Sequence, residues 1–180
     1  MDCKKALQEN NSDISKAVDY LREKGKAIAA KKSARIAKEG IIYSYIHPGD
    51  KIGVLLEINC ETDFVARTDE FRNMTKEIAM QVAAVDPSWV KREDITKEAL
   101  DREKSIIRKQ LEEMGKPANM VDKILEGKLE KFYADNCLIE QPYIRDDKKK
   151  IKDLIEETVA KLGENVQVAR FIRYEVGSEV

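Results

Sequence analysis

The chain has 180 residues, 42% hydrophobic and 37% charged, with Lys+Arg 33 against Asp+Glu 34 for a net charge of -1. That length suits one domain, or one domain with a small appendage, and it can bury a core without disulfide or metal support. The balanced charge excludes a global attraction to nucleic acid, so any partner must be read from local features. Three cysteines, Cys3, Cys60 and Cys137, lie far apart with no CxxC pair. That pattern argues against a secreted disulfide framework and against a zinc cluster. No N-terminal apolar run resembles a signal peptide and no stretch has the length of a membrane span, so a cytoplasmic protein with no membrane partner is expected.

In chain order, "DCKKALQENN" and "SDISKAVDYLREKG" predict two short helices. Ser12 or Asp13 supplies an N-cap for the second, whose apolar face is Ile14, Ala17, Val18 and Leu21, and Gly25 supplies a left-handed stop. Residues 26–40 are basic and alanine-rich and are expected to be a linker with helical tendency. "IIYSYI" and "IGVLLEINC" predict a hairpin joined by "HPGD", where Pro48 presets φ and Gly49 tolerates positive φ. Three helices follow. The first carries Phe71, Met74, Ile78, Val82 and Val85 on one stripe. The second starts near Thr96 with Leu100, Ile107, Leu111 and Met114 on its apolar face, and stops at "GKP" through Gly115. The third opens at Pro117 and carries Val121, Ile124, Leu125, Phe132 and Tyr133, with Gly127 inside it. "CLIEQP" predicts a short strand ending at Pro142, and "DDKKKIKDLIEETVAKLG" an amphipathic helix. "VQVARFIRYEVG" is the strongest strand, and apolar residues in both of its alternate sets suggest a central strand. The sum is α+β: a small helical N-terminal module (1–25), a basic linker (26–40), then a mostly antiparallel sheet packed with helices (41–180).

Little in the chain suggests covalent catalysis. His47, the single histidine, lies in a turn. Glu57, Glu61 and Asp63 form the one acidic group near a strand end. They could serve acid–base chemistry or a divalent cation, although three nearby acids on so charged a chain are more simply solvated. There is no P-loop, no GxGxxG and no metal-ligand spacing. Neither a catalytic residue, a metal site nor a cofactor is expected. Lys24, Lys26, Lys31, Lys32, Arg35 and Lys38 form the single basic cluster, but no aromatic interleaves with them to stack on bases. Direct nucleic-acid binding is therefore not expected, and a ribosome- or RNA-associated module using this segment is the alternative.

"TDFVAR", Thr62 to Arg67, resembles the signature of the elongation factor Ts family, bacterial nucleotide-exchange factors for the GTPase elongation factor Tu. "MDCKKAL" and "AVDYLREKG" look like the family's N-terminal helical module and "AAKKSARIAKEG" like its linker. "IAMQVAA" looks like the helix after the signature, and "FIRYEVG" like the last core strand. The resemblance covers nearly the whole chain. It implies a guanine-nucleotide exchange factor that binds elongation factor Tu and promotes GDP release by dislodging Mg²⁺ during translation elongation. On that resemblance Asp63 and Phe64 enter the GTPase near its nucleotide, while Thr62 and Val65 fix the loop and add apolar contact. The alternative for Phe64 is an ordinary core residue. A histidine that contacts the GTPase in longer members is replaced here by Gln81, which could keep that contact through its amide. The first of three module helices is expected to be missing, as are a second core subdomain, a coiled-coil insertion and a C-terminal module. Self-association as a homodimer, by pairing along "VQVARFIRYEVG" or "CLIEQP", stays open.

Overall fold

The structure, a computed structural model, describes residues 2–115 and 117–178. Met1, Lys116 of "GKP", Glu179 and Val180 lie outside the described residues. Two compact units are formed, Met1–Ala83 with Lys152–Val180, and Ala84–Ile151.

The first unit begins with helices α1 (Asp2–Glu9) and α2 (Ile14–Lys32). Asp13 caps α2 by accepting from the Lys16 N–H at 3.1 Å, as its position before the apolar run predicts. The expected stop at Gly25 does not occur, and α2 runs on to Lys32. Gly25 serves close approach instead: an added Cβ would lie 3.4 Å from Cβ of Ala160. The hairpin forms as predicted, from β1 (Glu39–Ile46) and β2 (Ile52–Cys60). In its turn the Asp50 N–H donates to the His47 carbonyl, and Gly49 adopts φ +98°. Glycine is also required at Gly40, where a Cβ would meet the Ile58 carbonyl at 2.1 Å.

The sheet order is β1-β2-β5, all antiparallel, with β5 at Val166–Glu175. β2 is therefore the central strand and β5 an edge strand, which corrects the expectation for "VQVARFIRYEVG". The cause is a bulge. The register steps from Glu57↔Arg170 to Ile58↔Val168, leaving Ala169 unpaired. Val166 and Val168 face inward before the bulge and Phe171 after it, so the inward set changes parity. Val166 and Val168 thus share parity with Ile172 and Tyr174, which lie on the exposed outer face, while Phe171 of the other set is covered. The inward face of β2, Val54, Leu56, Ile58 and Cys60, is buried. Helix α4 (Asp69–Val85) buries Phe71, Met74, Ile78 and Val82 along its predicted stripe, while Val85 at its end is exposed.

The second unit is built on a helical hairpin, α5 (Lys97–Glu113) and α6 (Ala118–Asn136). Thr96 caps α5 by accepting from the Ala99 N–H at 3.2 Å. Gly115, at φ +66°, ends the turn after it. Ile107, Leu111, Leu125 and Leu129 are buried in the hairpin, flanked by Leu100, Val121, Ile124 and Tyr133. Two further expectations change here. "CLIEQP" forms a 3-10 turn at Leu138–Glu140, and its strand, β3 (Pro142–Tyr143), begins rather than ends at Pro142. "DDKKK" pairs with β3 as strand β4 (Asp146–Lys150), so the next helix, α7 (Ile151–Leu162), starts five residues later than expected.

Candidate partner-binding site

β2 ends at Cys60, and the chain turns sharply into α3, a four-residue helix (Asp63–Ala66). Its residue types explain the turn. Thr62 has extended backbone and caps α3, its Oγ1 accepting from the Val65 N–H at 3.5 Å. Thr68 closes the other end. Its hydroxyl donates to the Val65 carbonyl at 2.8 Å and accepts from the Phe71 N–H at 3.3 Å, starting α4. Cys60 Sγ donates to the Thr62 carbonyl at 3.1 Å, and burial pushes that thiol up to about 11, so it stays a neutral donor.

Phe64 stands on this short helix with 77% of its surface exposed. The core reading of Phe64 is therefore excluded. An apolar ring of this size in water gains nothing from folding, whereas burying it against a partner stabilises the complex by about 1.5–3 kcal/mol. Ala66, two residues on, is buried and anchors the helix. Asp63 pairs with Arg67 at 2.8 Å across one helical turn, an exposed contact that water or a partner can exchange.

The three acids proposed for chemistry are engaged separately. Glu57 pairs with Arg170 at 2.7 Å, Glu61 with Arg35 at 3.4 Å, and Asp63 with Arg67. The Asn165 N–H also donates to Glu61 at 2.6 Å; this bond and then Arg35 hold the Glu61 carboxyl below its ordinary range. Among the described residues no group of three His, Cys, Asp or Glu is placed to hold a metal ion. His47 Nδ1 sits 3.1 Å from the Tyr45 hydroxyl in the exposed hairpin turn. The basic cluster is partly spent inside the fold. Lys26 pairs with Asp153 at 2.9 Å, Lys32 donates to the Gly163 carbonyl, and Arg35 reaches Glu61.

Thr62, Asp63, Phe64 and Val65 are thus gathered in one capped turn, while Gln81 is fully buried in α4 and presents no surface for a contact. Its amide belongs to the core behind the site. Unforeseen in the sequence were Thr68, Glu164 and Asn165. Thr68 carries a local signal, a hydroxyl before an apolar helical run. The other two lie about a hundred positions away and carry none.

The family model described as elongation factor TS matches residues 2–178. Elongation factor Ts of Thermoanaerobacter sp. (strain X514) is 57% identical over 180 residues, which is 100% of this chain and 88% of that protein. The same-named protein of Caldanaerobacter subterraneus subsp. tengcongensis is 58% identical over 180 residues, covering 100% and 90%. That of Thermotoga neapolitana is 58% identical over 179, covering 99% and 90%. The match spans both units and the capped turn at Thr62, and on these grounds the chain belongs to the elongation factor Ts family of translation elongation factors.

Proposed function

We propose that this protein is a guanine-nucleotide exchange factor that binds elongation factor Tu, dislodges its Mg²⁺ and promotes GDP release. The observation that carries this reading is Phe64, exposed on a capped turn where a core side chain would have been the default. The phenylalanine is the wedge, Asp63 exchanges Arg67 for polar groups near the GTPase's metal, and Thr62 and Val65 hold the turn. No covalent bond forms or breaks. Coupling is reciprocal: if binding this protein weakens nucleotide affinity, incoming nucleotide weakens the protein's hold by the same factor and releases it. The RNA-associated reading has less to rest on, because Lys26, Lys32 and Arg35 are engaged within the fold.

The activity belongs in the cytoplasm with translation. Among the described residues no helix is long and apolar enough to cross a membrane. Release of fluorescent GDP from elongation factor Tu, with Mg²⁺ present, is expected to accelerate when the chain is added. Unchanged release removes the reading.

A second copy of this chain is the proposed occupant of the outer sheet face. Ile42, Ile46, Leu55, Ile172 and Tyr174 share that face by register and are exposed. Its charged row is neutralised in place by the Glu57–Arg170 pair, so two identical faces do not repel.

A further inference from the structure

A helix of four residues cannot hold its own shape, since nucleating one turn costs more than its hydrogen bonds return. Phe64 contributes no packing to hold it either, being exposed. The constraint comes from the turn Gly163–Asn165, between α7 and β5. Gly163 adopts φ +76°, and its carbonyl accepts from Lys32 Nζ on α2. The Glu164 carboxylate takes both protons that Thr62 offers, the N–H at 3.0 Å on Oε2 and the hydroxyl at 2.7 Å on Oε1. Asn165 is buried, and its N–H donates to Glu61. Its side-chain amide donates to the carbonyls of Arg35 at 2.7 Å and Ser33 at 3.5 Å. Glu164 and Asn165 therefore grip Thr62 and Glu61, the two positions before Asp63-Phe64, and the turn ties them to α2 and the segment after it.

The grip also sets direction. A carboxylate only accepts, so the Thr62 hydroxyl must donate toward Glu164. Its lone pairs are then free to face the Val65 N–H, and the cap of α3 is formed by the same oxygen.

We propose that Glu164 and Asn165 are positioning residues that order the 61–65 loop before a partner arrives, so that Phe64 is presented in its docking conformation. This rests on the exchange-factor reading of the loop. Without the grip the loop samples other conformations, and apparent affinity falls by the fraction that remains competent. A saturating partner still selects the competent form, so the maximal rate is kept.

The test has two arms. In the free chain, amide hydrogen exchange of residues 62–66 is compared in wild type, Glu164→Gln and Glu164→Ala. In the second, GDP release from elongation factor Tu is titrated with each. Faster amide exchange confined to the loop is expected, larger for Glu164→Ala than for Glu164→Gln, which keeps one acceptor. The half-saturating concentration should rise about tenfold, as for a competent fraction of roughly one in ten, at an unchanged maximal rate. Thr62→Val removes the hydroxyl from the other side, together with the cap it makes to Val65, so adding Glu164→Gln to Thr62→Val should change little beyond Thr62→Val alone. This second route keeps the proposal testable if Glu164→Ala does not fold. Unchanged loop exchange overturns it, as does a lowered maximal rate at the same half-saturation. If the wild-type chain itself fails to accelerate release, the exchange reading and the docking role both fall, and the first arm alone decides whether Glu164 orders the loop.

Discussion

Phe64 and Glu61 lie three positions apart and make opposite demands on the fold. Phe64 is in water, so Phe64→Ala is expected to change stability by less than about 0.5 kcal/mol, measured by urea denaturation. A large destabilisation would contradict its exposure. Glu61 is tied inward, by the Asn165 N–H first and Arg35 second, and both hold its carboxyl below the ordinary value near 4.5. A lowered folded value means the unfolded chain takes up the proton first as pH falls. The stabilisation is complete above the ordinary value and is lost as pH falls through the lowered one. Glu61→Gln should therefore cost stability at neutral pH, and the gap to wild type should close as pH falls through that lowered value. A gap that persists in acid would mean Glu61 acts through shape rather than charge.

At the scale of elements, apolar spacing located α4, α5, α6 and α7, because a 3.6-residue period over three turns or more has few competing explanations, whereas the second half of α2 was read as linker. The α5–α6 hairpin is the clearest instance. Leu111 is buried within it, so Leu111→Ala should cost about 2–5 kcal/mol. Hydrogen exchange should show lost protection over 97–136 while β1, β2 and β5 keep theirs. Loss spread evenly over both sets would contradict independent units. What the sequence hid were features of pairing rather than of period. The Ala169 bulge made an edge strand look like a central one. Gly25, a plausible stop, is small because Ala160 passes beside it. "DDKKK" has poor strand propensity and becomes a strand because β3 lies alongside it. The candidate site divides the same way. Its capped turn is local and was legible from "TDFVAR", whereas Glu164 and Asn165 reach it from the far end of the chain. The burial of Gln81 follows from its place on the inward stripe of α4, beside Ile78 and Val82.

Over the whole molecule, two exposed apolar features are the proposed partner surfaces, a capped turn with an exposed ring and an apolar sheet face. If that face joins two copies, Ile172→Glu should shift sedimentation from dimer to monomer at equal concentration. A wild-type chain that sediments as a monomer at high concentration would remove the dimer. The two features are separable, since Phe64 lies on α3 and Ile172 on β5. For the exchange activity, burial of one phenylalanine is worth about 1.5–3 kcal/mol, or roughly 10- to 150-fold in an equilibrium. On the proposed exchange reading, Phe64 therefore shares the work with loss of Mg²⁺ and with contacts elsewhere. The most direct measurement is the maximal rate of fluorescent GDP release from elongation factor Tu with saturating wild-type chain and with Phe64→Ala, each shown to be folded. Acceleration by wild type is expected, with the variant's maximal rate lower by up to about 10- to 150-fold. Equal acceleration by both would contradict the wedge.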